Sequence, residues 1–199
     1  MKVANIAEIV EEAAASLSRA VCRYWPVNGR NELGERNQTM HLAAAFLSHE
    51  WHCWAEAHWN DATDRRLDML AWHEHSRTLC VMEAKRLYSP EGVAAIAADI
   101  QRIASFCPIA HRGVDRLAHQ RCFGLVTATT WTKTIAEWWE SDITRSDPWP
   151  MGSEHWPDER NRAIKAANGG IWKALNLGTE SDRGEVDRHH MLYALWPIT

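Results

Sequence analysis

Arg66-Leu67-Asp68-Met69-Leu70-Ala71-Trp72, then His73-Glu74-His75-Ser76-Arg77, then Thr78-Leu79-Cys80-Val81-Met82-Glu83-Ala84-Lys85: this stretch decides how the chain folds. Its outer segments, 66–72 and 78–84, are short and apolar-rich and flank a polar run, the pattern of a β-hairpin. Side chains alternate along a strand, so Leu79, Val81, Glu83 and Lys85 share one face, while Cys80, Met82 and Ala84 share the other. If the hairpin turns symmetrically about His75-Ser76, Asp68 lies directly opposite Glu83. Two opposed carboxylates between Leu67, Met69, Val81 and Met82 repel each other and destabilise a sheet. A divalent cation removes that penalty. A ligand set made only of oxygens, few of them from the protein, suits Mg²⁺, with Mn²⁺ able to substitute. Phosphodiester hydrolysis needs a metal to neutralise charge and acidify water, and a lysine can orient that water or stabilise the transition state. Asp68, Glu83 and Lys85 supply these parts.

Outward from the hairpin, residues 3–22 read as a helix that stops near Trp25-Pro26, followed by a polar loop through Asn28-Gly29-Arg30-Asn31. From about Asn37 to Trp59, Met40, Ala44, Leu47, Trp51 and Trp54 recur at steps of three and four, which predicts one long amphipathic helix. After Ser89-Pro90-Glu91, the stripe Val93, Ile96, Ala97, Ile100, Ile103 and Ala104 predicts a helix reaching Cys107-Pro108. Residues 121–129 read as a third strand, 133–140 as a short helix and 141–156 as a loop. A helix follows Pro157 and ends near Leu177-Gly178, with Gly169-Gly170 breaking or kinking it, and 190–196 closes the chain as a strand. Strands separated by helical patterns indicate an α/β structure with a mixed central sheet flanked by helices.

At 199 residues the chain fits one domain, long enough to bury a core without disulfides. With 46% apolar and 24% charged residues, the composition excludes a disordered tail. Twelve tryptophans serve cores, interfaces or base stacking equally well. The formal charge of −4 gives no global attraction to nucleic acid, so such binding would use a local basic surface or metal-bridged phosphates. The cysteines at 22, 53, 80, 107 and 122 form no C-x-x-C pair, which fits reduced thiols in a cytosol. The segment from Met1 to Val21 lacks the basic start and apolar centre of a leader, and no stretch is long and apolar enough to span a bilayer. The expectation is a cytoplasmic protein with no membrane partner.

Asp68 followed by Glu83-Ala84-Lys85 on an apolar strand resembles the D-x(n)-E-x-K signature of PD-(D/E)XK nucleases, a likeness that covers roughly residues 31–130. The resemblance implies a restriction-endonuclease-like core within a single domain, 1–199. Residues 1–30 would then be a helical extension, 31–130 the motif-bearing core, and 131–199 C-terminal helices and a final strand. It implies Asp68 and Glu83 as metal ligands, with the backbone carbonyl of Ala84 completing the site, and Lys85 as the catalytic lysine. It also implies a glutamate from the preceding helix, for which Glu35 comes first and Glu32 and Glu50 are substitutes. The helix after the E-x-K strand carries Asp99, Gln101 and Arg102, of which Gln101 is the expected supporting residue. Family cores have a further strand between the first helix and the Asp strand. Residues 60–65 are too short and polar to supply it, so Asp64 and Asp61 stand as alternatives to Asp68.

The functional expectation is a Mg²⁺-dependent nuclease, with DNA favoured over RNA by analogy alone and a homodimer expected of a duplex cutter. The rival is a nuclease-like fold that binds a protein or nucleic acid, using tryptophan-rich surfaces for a protein partner. A zinc site drawn from His49, His52, Cys53, His58, His73 and His75 lacks the spacing of a zinc protease, H-E-x-x-H. Arg112–Arg121 and the set Arg160, Arg162 and Lys165 read equally as solvated surface or phosphate contacts, while Trp138, Trp139, Trp149 and Trp156 default to the core.

Overall fold

The computed structural model describes residues 3–24, 34–60, 63–88, 90–106, 121–141, 156–167, 169–178 and 189–198. The hairpin lies at its heart as β2 (Thr63–His73) and β3 (Thr78–Arg86). Met69 pairs with Met82, Leu70 with Val81 and Trp72 with Leu79, the symmetric register expected from the sequence. The turn is held by local polar groups. The Ser76 N–H donates to His73 Nδ1 at 3.1 Å, and the Arg77 N–H donates to the Glu74 carbonyl at 3.0 Å.

Around this hairpin a six-stranded mixed sheet runs in the order β1-β2-β3-β4-β6-β5. The added strands are β1 (His52–Asn60), β4 (Arg121–Thr130), β5 (Ile171–Asn176) and β6 (His190–Ile198). All neighbours are antiparallel except β3 and β4. A parallel pair needs a crossover, and α3 (Pro90–Ala104) lies within it, so the C-terminal ends of β3 and β4 come together at one end of the sheet.

Alternation along β3 divides the core. Cys80 and Met82 meet α1 (Val3–Tyr24) and α2 (Glu35–Ser48) through Ile6, Leu17, Leu42 and Phe46. Leu79 and Val81 meet α3, α4 (Lys133–Glu140) and α5 (Trp156–Ala166) through Ile96, Ile100, Ile135 and Ala163. Each fully buried Leu or Ile contributes about 1.5–3 kcal/mol. Two apolar faces on one sheet therefore fix β3 at its centre. Among the described residues no helix is long and apolar enough to cross a membrane.

Two expectations are corrected. Residues 37–59 are not one helix: α2 ends at Ser48, Glu50 takes a left-handed φ of 64°, and β1 follows. Phe46 and Trp51 pack edge to face at 5.0 Å across this turn. Within α2 the stripe that suggested a longer helix points outward, since Met40, Ala44 and Leu47 are exposed whereas the buried residues are Gln38, Leu42, Ala45 and Phe46, and past the helix Trp51 is buried and Trp54 exposed. Nor does the helix after Pro157 reach Leu177. It ends at Ala166, and the chain returns as β5. Gly169 has φ 78°, and a Cβ on Gly170 would meet the Leu195 carbonyl oxygen at 2.5 Å, so this turn requires glycine. Glu32, Asp61, Trp149 and nearly all of the 112–121 basic stretch lie outside the described residues, as do the side chains of Asp64 and Trp156.

Candidate active site at the open end of the hairpin

The β2–β3 pairing stops at Met69 and Met82, and a side chain takes over where the next backbone pair would form. Asp68 Oδ2 accepts the Ala84 N–H at 2.7 Å. Asp68 is thereby anchored on the strand that carries Glu83 and Lys85. Those two follow Leu79 and Val81 onto the α3 face, where Asp99 and Arg102, one helical turn apart, come down to meet them.

Four of the five charged groups are joined directly. Arg102 Nη2 donates to Glu83 Oε1 and also pairs with Asp99 Oδ1 at 2.8 Å. Lys85 Nζ lies 3.2 Å from Asp99 Oδ2 and 3.4 Å from Glu83 Oε2. Glu83 is only 2% exposed, whereas the Lys85 and Arg102 side chains are 26% and 24% exposed. Burial, with the Asp68 and Asp99 carboxylates next in effect, pushes the Glu83 carboxyl up to about 8 against the pull of Lys85 and Arg102. For Lys85, burial alone would lower the pKa, but Asp99, Glu83 and Asp68 outweigh it and hold the ammonium above its ordinary value. With three carboxylates against two cations, this corner of the sheet carries more negative than positive groups. Buried repulsion of this kind is concentrated at functional sites.

The remaining expected residues fall elsewhere. Gln101 is exposed, while Asp99 and Arg102 on either side of it make the contacts with β3. The signal was available: Asp99 flanks the Ile96, Ile100 and Ile103 stripe, and Gln101 points away from it. Glu35 begins α2, the helix on the opposite face of the sheet, and no described contact joins it to Asp68, Glu83 or Lys85. One turn after Glu35, Gln38 is fully buried and donates through Nε2 to the Lys85 carbonyl at 2.8 Å and to Thr129 Oγ1 at 3.3 Å. Sequence reading missed Gln38 because a glutamine in a helix reads as surface. Glu50 lies at the other end of the hairpin, where it lines a cavity of about 680 Å³ with Leu47, Trp51, His52, His73, Glu74 and His75.

Among the described residues the histidines form no metal centre. His49 pairs with Glu12 at 2.8 Å, His73 Nδ1 is held by Ser76, and burial, then neighbouring His75, lower the pKa of His73. Among the described residues no three His, Cys, Asp or Glu side chains are grouped to hold a metal. Arg160 is buried over Trp138 and Trp172 at 5.8 and 5.7 Å, and Arg162 pairs with Glu159 at 2.8 Å. Trp138 and Trp139 are core residues, and the Trp139 N–H donates to the Tyr193 carbonyl at 2.9 Å. No family model matches the chain, and no similar curated protein or solved structure was found.

Proposed function

We propose that the protein is a metal-dependent nuclease that hydrolyses phosphodiester bonds at the Asp68, Glu83 and Lys85 corner. The observation that carries this reading is Glu83: a carboxylate almost wholly buried beside Asp68 and Asp99, its pKa raised to about 8 by burial and by their charge. A divalent cation on Glu83 and Asp68 would relieve that repulsion. Two carboxylates are enough for Mg²⁺, which retains several waters and takes further oxygens from a substrate phosphate. Bound there, the ion would polarise the scissile phosphate and acidify a water. The strand order also supports the reading, because β1 supplies the strand between the first helix and the Asp strand that the family core has.

In this reading Asp68 is positioned by the Ala84 amide before any ligand arrives. Lys85 orients the attacking water, anchored by Asp99. Arg102 is tied to both Glu83 and Asp99, and with a cation held by Glu83 its guanidinium would be available as a donor to the phosphate. DNA remains the expected substrate. The second reading, a nuclease-like fold that docks a partner, is favoured by the exposed Met40, Leu47 and Trp54.

The test is cleavage of linear, circular, single-stranded and branched DNA and of RNA with Mg²⁺ or Mn²⁺, comparing wild type with Lys85→Ala. Metal-dependent cutting that falls at least about a hundredfold in the variant is expected from loss of a group acting in the transition state. No cutting of any substrate at high protein concentration would replace the nuclease reading with the docking one.

A further inference from the structure

Trp131 is one of four large apolar side chains exposed among the described residues, and it lies just past the end of β4. Its ring stacks on Tyr88, with centroids 3.8 Å apart and planes 15° from parallel. The Tyr88 phenol oxygen is buried, so Tyr88 forms the inner layer and Trp131, 40% exposed, the outer one. Residues beside both rings are hydrogen-bonded to the end of β4. Buried Leu87, next to Tyr88, donates its N–H to the Thr129 carbonyl at 2.9 Å, and the Thr132 N–H after Trp131 donates to Thr130 Oγ1 at 3.1 Å. A flat ring already held on one face by a second ring loses little entropy when another ring stacks on it.

The stack also has a definite place relative to the charged corner. Lys85 is level with Ala128 in the parallel pair; Tyr88 is three residues beyond the first and Trp131 three beyond the second. Three residues of chain span at most roughly 10 Å, so the aromatic pair and the partly exposed cations Lys85 and Arg102 stand at the same end of the sheet.

We propose that Trp131, backed by Tyr88, is a stacking platform for an unpaired nucleobase whose strand runs over Lys85 and Arg102. The substrate class is therefore single-stranded nucleic acid, or the frayed end of a duplex. Bases inside a duplex have both faces covered and offer nothing to such a ring, whereas every unpaired base has a free face. The proposal rests on the nuclease reading for the path of the strand, but the stacking itself needs no cleavage.

Binding is measured with Ca²⁺ in place of Mg²⁺ or Mn²⁺, by fluorescence anisotropy with a labelled twenty-nucleotide thymidine oligomer, its RNA counterpart and a blunt duplex of equal length. Wild type is expected to prefer the single strands. Trp131→Leu should weaken single-strand binding by roughly 5- to 100-fold and leave the duplex unchanged, with Trp131→Phe recovering most of the loss. Unchanged single-strand binding by Trp131→Leu, or no nucleic-acid binding by wild type, overturns the platform. The DNA and RNA arms identify which strand it takes. The same oligomers with Mn²⁺ separate the two ideas: cutting by wild type with binding indifferent to Trp131 leaves the nuclease and removes the platform. Stacking-dependent binding without cutting does the reverse.

Discussion

At the C-terminal end of β3 two polar groups are buried on opposite faces of the sheet, and they differ in kind. On the α2 face Gln38, neutral, ties the Lys85 carbonyl and Thr129 together. On the α3 face Glu83 is buried among two other carboxylates and two cations. A buried amide that makes two hydrogen bonds is an ordinary way to fix backbone, with a net contribution of about 1 kcal/mol per bond. A buried charge cluster costs several kcal/mol of desolvation per ion, and apolar residues of similar volume often serve stability as well or better. The neutral face needs only a structural explanation, whereas the charged face calls for one in chemistry.

Arg102→Met breaks the charged side most severely. The substitution keeps the apolar stem on α3 and leaves Glu83 and Asp99 with Lys85 alone. Because Arg102 is partly exposed, the low end of the usual range applies, about 3 kcal/mol lost at pH 8 to 9 by urea denaturation. The loss should shrink towards pH 6, where Glu83 takes up a proton. A loss below about 0.5 kcal/mol at pH 9 would mean that the cluster is a solvated surface pair and that the contrast between the two faces is false.

Next in size is the pH dependence that Glu83 imposes. Its folded pKa, about 8, lies above the unfolded value near 4.5. The associated stability is therefore fully present below about 4.5 and is lost as pH rises through 8. Between pH 6 and 8 the loss amounts to about 2 kcal/mol. Glu83→Gln should flatten that segment of the profile. Excess Mg²⁺ should reduce the slope in wild type, because a metal favours the ionised carboxylate, and Asp68→Ala should abolish this metal effect. A wild-type profile already flat from pH 6 to 8 would remove the physical basis for the site.

How far the sequence revealed this contrast depended on which signal each residue left. The hairpin register was legible because apolar residues alternate on both sides of a polar turn, and that register alone brought Asp68 to Glu83. The β1 strand was not legible: Met40, Leu47 and Trp54 repeat at helical steps although they face solvent, and the chain leaves the helix at Glu50, a residue with no intrinsic preference for a left-handed φ. Asp99 and Arg102 lie in a segment whose helix was read correctly and whose periodicity sets Asp99 beside the buried stripe, but which strand residues the two meet depends on how the helix sits on the sheet. The β5 strand was hidden by a helical pattern that continued past Gly169-Gly170, where the close approach of the Leu195 carbonyl, a tertiary fact, decides the turn.

The smallest effect belongs to the neutral face. Gln38→Met removes the two hydrogen bonds from Nε2 but also removes the Gln38 Oε1 acceptor, which is buried and makes no hydrogen bond. The lost bonds and the relieved acceptor act in opposite directions, and methionine fills nearly the same volume. The expected change is a loss of about 1 kcal/mol in urea denaturation, independent of pH because neither described partner of Gln38, the Lys85 carbonyl and the Thr129 hydroxyl, titrates. The Lys85 carbonyl would lose its tie to α2 while the Lys85 side chain keeps Asp99 and Glu83 on the other face. If cleavage is found, Gln38→Met should therefore reduce it far less than Lys85→Ala does. A loss in Gln38→Met as large and as pH-dependent as that of Arg102→Met would mean that the two faces are one coupled network, with α2 belonging to the site as much as α3.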